Sequence, residues 1–209
     1  MPLAALPNLL SGLRILLVLP FSVLLLREQF AFALGLFIAA AVTDGIDGWL
    51  ARRFNWQSQL GALLDPAADK LLVAVSLILL SWMALAPVWV VVVVLVRDIV
   101  IVAGAVAYRG LIGPVTYGST RLSKVCTALQ LLLIVALLLQ PLLSTTSALP
   151  IDVLGDSASA GDESGAIALI AAAIQWLAIA VAVLAVLSGA DYVWTWARKA
   201  ALQRSQADR

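Results

Sequence analysis

Apolar residues run through this chain in long blocks, broken by short polar or Gly/Pro-containing stretches. Six blocks stand out, at roughly residues 9–26, 30–51, 61–82, 87–108, 123–143 and 165–189. An α-helix needs about 20 apolar residues to cross a bilayer core, and each block approaches or exceeds that length. The breaks read as connections. Arg27-Glu28 is a very tight turn, Arg52 to Leu60 a polar loop, and Met83 to Pro87 a second short turn. Arg109 to Leu122 contains Gly and Pro, and Ser144 to Gly165 is a Ser/Ala/Gly loop bearing acids. Met1 to Asn8, with two prolines, suits a short interfacial helix. The pattern predicts an all-α polytopic membrane protein of six transmembrane helices, with residues 1–209 as a single domain.

Composition agrees. Apolar residues make up 63% of the chain and charged residues 12%, about half the charge of a soluble domain. The formal net charge is +1, and no nucleic-acid partner is expected. There is no histidine, which removes His-based acid–base chemistry and His metal sites together. Cys126 is the one cysteine; it cannot form an intramolecular disulfide and reads as a packed small hydrophobe. The N-terminus lacks the basic region of a cleavable signal peptide.

Charge placement predicts orientation. With six spans, Arg52, Arg53, Arg109, Arg121, Lys124 and the basic tail from Arg198 share one side with both termini. The other side holds Arg27 and the acids Glu28, Asp152, Asp156, Asp162 and Glu163. The positive-inside rule puts both termini in the cytoplasm. Trp49, Trp56, Trp82, Trp89, Trp194 and Trp196 fall near predicted helix ends, as an aromatic belt does. Asp191 with Trp194 and Trp196 reads as an interfacial anchor.

Four aspartates break the apolar pattern of the second and third blocks. A carboxylate in hydrocarbon costs about 2.5–3.5 kcal/mol even on the lenient insertion scale. Asp44 and Asp47 are three apart and share a helix face; Asp65 and Asp69 are four apart and share another. The loop between them makes the two helices antiparallel neighbours, with Asp47 opposite Asp65 and Asp44 opposite Asp69. Four carboxylates then converge in an intramembrane site near the cytoplasmic face. Cations must hold them, and an all-oxygen donor set favours Mg²⁺, Mn²⁺ or Ca²⁺ over zinc. Two ions on four carboxylates is an arrangement that serves phosphoryl chemistry. Gly45, Gly48, Ala51 and Gly61 leave room for a bulky ligand, and Arg52 can reach a phosphate at the surface. The plainer readings are acids paired with Lys70 and Arg97, an ion path, and glycines that serve helix packing.

The stretch from Asp44 to Asp69 resembles the signature of the CDP-alcohol phosphatidyltransferase family, D-x2-D-G-x2-A-R-x8-G-x3-D-x3-D, at every fixed position. The motif covers an eighth of the chain. The resemblance implies transfer of a phosphatidyl group from CDP-diacylglycerol to an alcohol, with release of CMP. It implies that Asp44, Asp47 and Asp65 bind metal, and that Asp69 completes the metal site and acts as general base. It implies further that Asp44, Gly48, Ala51, Arg52 and Gly61 contact the CDP moiety. Mg²⁺ or Mn²⁺, as two ions, a homodimer and a place in the bacterial inner (cytoplasmic) membrane are the cofactor, partner and location it carries.

Pro7 to Arg14 and the pair Arg97-Asp98 resemble segments of phosphatidylglycerophosphate synthases and of CDP-alcohol-type cardiolipin synthases alike. Ser123 to Gln130 is similar to a Ser-Lys-x-Asn-Thr-x-x-Gln pattern of the cardiolipin branch, with Cys126 replacing the polar residue. Arg14, Arg97, Arg121 and Lys124 are the candidates for the acceptor's phosphate. Snorkelling to anionic headgroups is the competing reading, and Arg97 can instead be neutralised by Asp98. Glycerol 3-phosphate is the favoured acceptor and phosphatidylglycerol the alternative. A divalent-cation transporter is the alternative of a different class; it needs an exit route, and the opposite half of the membrane carries almost no polar side chains.

Overall fold

The computed structural model describes the backbone of residues 6–54, 61–111, 121–147 and 160–207, and side chains over residues 12–13, 15–43, 70–104, 122–143 and 168–195. The described residues form six helices: α1 Leu6–Leu26, α2 Phe30–Phe54, α3 Gly61–Trp82, α4 Val88–Leu111, α5 Arg121–Ser147 and α6 Ala160–Ala207. Each predicted apolar block lies within one helix apart from an end residue. Leu122–Leu143 and Ala168–Thr195 are long and apolar enough to cross a membrane. Ile15–Leu26, Phe30–Thr43 and Lys70–Trp82 are shorter apolar stretches among the described side chains.

The largest departure from the predicted elements is α6, a helix of 48 residues. At about 1.5 Å per residue it is about 72 Å long, more than twice a hydrocarbon core. Arg198 and Lys199 therefore continue a helix. From Ala190 onward the helix has neither Gly nor Pro, and from Ala197 to Ala207 it consists of Ala, Arg, Lys, Leu and Gln with one Ser, mostly strong helix formers.

The two tight turns share one geometry. Glu28 has φ 59° and Ala84 φ 58°. The amide of Gln29 donates to the carbonyl of Leu24 at 2.9 Å, and that of Glu28 to Leu25 at 2.9 Å. The amides of Leu85 and Ala84 repeat this onto Leu80 and Ser81, at 2.9 and 3.0 Å. Both are Schellman caps, which satisfy the last carbonyls of a helix by one left-handed residue. Neither left-handed position is a glycine.

The chain divides into two compact units, Met1–Ala86 with Ile134–Ile174, and Pro87–Leu133 with Gln175–Arg209. In the first, α1 packs on both α2 and α3. Phe21, Leu25, Ala33, Phe37, Leu77 and Leu80 are buried there, and the Phe21 and Phe37 rings lie 5.9 Å apart at 44°. The buried Ser76 hydroxyl donates to the carbonyl of Leu72 at 2.7 Å, so the helix satisfies it internally. In the second unit Val90, Val94, Cys126, Leu133, Val181 and Ala185 are buried.

The exterior inverts that of a water-soluble protein. Leu19, Phe32, Trp82, Ile99, Leu169 and Trp176 are all exposed. Apolar surface on this scale needs hydrocarbon or another apolar partner against it, and helices that satisfy their own backbone are what hydrocarbon admits. Trp82 ends α3 and Trp89 lies in the first turn of α4, in keeping with the expected aromatic positions.

Candidate functional site

The backbone is helical through Asp44 to Arg52 on α2 and through Gly61 to Asp69 on α3. At 3.6 residues per turn, Asp44 and Asp47 are about 60° apart around α2 and about 4.5 Å apart along it. Asp65 and Asp69 are about 40° and 6 Å apart on α3. Each pair therefore shares one side of its helix over one turn. The eight signature positions close α2 and open α3, on either side of residues 55–60. The side chains of Asp44, Asp47, Gly48, Ala51, Arg52, Gly61, Asp65 and Asp69 lie outside the described residues, as do those of Arg14 and Arg121. Among the described side chains no three His, Cys, Asp or Glu groups converge on a metal position. The motif carries four carboxylates on helical backbone, and hard divalent cations fit that chemistry.

The basic residues expected around the acceptor are described at two positions. Lys124 is exposed, in the first turn of α5. Arg97, in the middle of α4, is buried at 4% exposure. Its Nη1 donates to Asp98 Oδ1 at 2.6 Å, an ion pair of adjacent residues. Its Nη2 donates to Ser123 Oγ of α5 at 2.7 Å and to Ser188 Oγ of α6 at 3.1 Å. The neutralisation of Arg97 by Asp98 is thus present in the fold. Nε of Arg97 is buried and has no hydrogen-bond partner among the described residues. A Cβ at Gly189 would stand 3.6 Å from Arg97 Cγ, an ordinary van der Waals contact, so the arginine stem runs beside Gly189 without requiring glycine there.

Ser188 was not anticipated from the sequence; a serine before a glycine in an apolar run reads as a small packing pair. Ser123 was noted only as part of a motif. The signal for both lay in Arg97 itself, since a guanidinium buried in an apolar helix must find partners. Beside it, a groove of about 560 Å³ runs between α4 and α6, lined by Val96, Arg97, Val100, Ala185, Val193 and Trp194 among others. Cys126 is a buried thiol, as expected. The Gln130 amide donates to its Sγ at 3.6 Å.

Comparison with known proteins places this architecture. The family model described as CDP-alcohol phosphatidyltransferase matches residues 4–197. The cardiolipin synthase (CMP-forming) of Rattus norvegicus is 38% identical over 164 residues, covering 71% of this chain and 54% of the rat protein. The CDP-diacylglycerol–glycerol-3-phosphate 3-phosphatidyltransferase of Bacillus subtilis is 40% identical over 107 residues, 51% of this chain and 54% of its own. Its Escherichia coli counterpart is 48% identical over 80 residues, 36% of this chain and 43% of its own. The chain thus spans about half the length of the relatives it matches. A family match that runs from the start of α1 through most of α6, with every signature residue on helical backbone of α2 and α3, means that the chain belongs to the CDP-alcohol phosphatidyltransferase family.

Proposed function

We propose that this chain transfers a phosphatidyl group from CDP-diacylglycerol to an alcohol and releases CMP, in phospholipid synthesis. The observation that carries the reading is the complete eight-position signature on α2 and α3 of a family member. Asp44, Asp47, Asp65 and Asp69 would hold two Mg²⁺ or Mn²⁺ ions, which neutralise the diphosphate and the charge that develops as CMP leaves. Asp69 accepts the proton of the acceptor hydroxyl. The hydroxyl oxygen bonds to the phosphorus bearing the diacylglycerol, the diphosphate P–O bond breaks, and its electron pair departs on CMP. A carboxylate is a weak base, and electrostatic stabilisation of the alkoxide and leaving phosphate makes it sufficient. Asp44, Gly48, Ala51, Arg52 and Gly61 receive the CDP moiety; the small residues admit it to the backbone and Arg52 pairs with its phosphate.

Glycerol 3-phosphate is the first reading of the acceptor, because Arg14, Arg121 and Lys124 offer a free phosphate the positive charge it needs. Arg97, the fourth basic residue of that group, is paired with Asp98 inside the protein and offers the phosphate no free charge. Phosphatidylglycerol is the second reading, favoured by the Ser123-Lys124 segment and by the longer stretch shared with the rat cardiolipin synthase. The six helices span a bacterial inner membrane with both termini cytoplasmic, and the chain works as a homodimer. The deciding experiment supplies purified protein with CDP-diacylglycerol, Mg²⁺ and each acceptor in turn, and identifies the lipid product. Phosphatidylglycerophosphate is expected with glycerol 3-phosphate. Product from phosphatidylglycerol alone would make the protein a cardiolipin synthase, and no CMP from either acceptor would refute the activity.

A further inference from the structure

We propose that Arg97 is a positioning residue: through the Ser123 hydroxyl it holds the first turn of α5 in the orientation that lets Lys124 receive the acceptor's phosphate. The inference rests on the acceptor reading above. Four observations support it. Arg97's charge is already met by Asp98 at 2.6 Å, so its guanidinium is committed inside the protein. The shorter of its two hydroxyl contacts, 2.7 Å against 3.1 Å, goes to Ser123, beside Lys124. Ser123 is held from its other end as well, since Thr127 Oγ1 donates to its carbonyl at 3.1 Å. The arrangement is also costly for packing alone, with Nε buried and without a partner among the described residues. An aliphatic side chain would fill the same space without that desolvation.

A guanidinium is a planar fork whose donors point in fixed directions. It can fix Asp98 and Ser123 together, whereas a lysine ammonium cannot reproduce that geometry. The phosphate-binding turn is thereby tied to α4 across 26 residues of chain. The second hydrogen bond of the same Nη2, to Ser188 of α6, ties helices together and serves stability.

The test measures kcat and KM for both substrates in purified Arg97→Lys, Ser123→Ala, Ser188→Ala and the Arg97→Lys/Ser123→Ala double variant. CDP-diacylglycerol is paired with glycerol 3-phosphate in one arm and phosphatidylglycerol in the other. Arg97→Lys and Ser123→Ala should each raise the acceptor KM about tenfold, the worth of one charge-assisted hydrogen bond, with donor KM unchanged. The double variant should be no worse than the poorer single one, since both remove one link. Ser188→Ala should lower the thermal midpoint and leave acceptor KM alone. The proposal is overturned if Ser123→Ala leaves acceptor KM within about twofold of wild type. It also fails if the two effects multiply, if donor KM moves equally, or if Ser188→Ala raises acceptor KM as Ser123→Ala does. A wild type that releases no CMP with either acceptor would overturn the activity reading, and the proposal with it.

Discussion

Asp98→Ala isolates the energetics of the buried cation. The substitution leaves Arg97, whose side chain is 3% exposed, with two neutral hydroxyls among the described residues in place of a carboxylate 2.6 Å away. Removing one member of a buried ion pair costs about 3–5 kcal/mol, because the remaining charge keeps its desolvation and loses its compensation. For a chain of about 200 residues each kcal/mol lowers the midpoint by about 2–4 °C. The expected loss is therefore about 6–20 °C, read by thermal unfolding in mild detergent. High salt should leave the gap open, since buried pairs are poorly screened. Arg97→Met/Asp98→Leu removes both charges and should recover at least half of the loss. A drop below about 2 °C in Asp98→Ala, or a double variant as unstable as the single one, would show that Arg97 is not the buried, carboxylate-dependent cation described.

Further substitutions probe other parts of the fold and the proposed chemistry. Phe21→Ala deletes one ring of the Phe21–Phe37 pair. Lipid is as apolar as the core, so only the cavity term applies, about 2 kcal/mol for about 100 Å³ lost, and the midpoint should fall by about 4–8 °C. Ala84→Gly relieves a non-glycine residue at φ 58° and should raise the midpoint by a few degrees, the worth of about 1 kcal/mol. A fall there would contradict the left-handed cap. Asp69→Asn should slow CMP release by about 100-fold or more if Asp69 is the general base; near-normal turnover would remove that role. Chelation of divalent ions should abolish CMP release, with recovery on adding Mg²⁺ or Mn²⁺, and activity that survives chelation would refute the metal assignment.

Most of the secondary structure was legible because hydrocarbon leaves a chain few choices. A long apolar block must satisfy its own backbone groups, and the helix does so locally. The predicted ends erred where local propensity and the polar boundary diverge. Arg52 and Arg53 continue α2, and Arg198 and Lys199 continue α6, because arginine and lysine are good helix formers wherever the helix leaves the bilayer. The aspartate motif was legible because its spacing is helical and its charge cost demands an explanation. The left-handed residues at Glu28 and Ala84 were not, since no residue type there announces a positive φ.

The sequence by itself determined that the chain is helical, rich in exposed apolar residues, and carries Asp44, Asp47, Asp65 and Asp69 at helical spacing, because helix periodicity and the cost of buried charge act over single turns. It also held several fates for Arg97, and the tertiary structure shows one of them, the pairing with Asp98. Adjacent residues on a helix point about 100° apart, so the pairing of Arg97 with Asp98 is no consequence of their order alone. Its other partners, Ser123 and Ser188, are 26 and 91 residues distant. Hydrocarbon makes any partner for a buried cation valuable; only the packing of α4 with α5 and α6 decides which hydroxyls come within 3.1 Å of it.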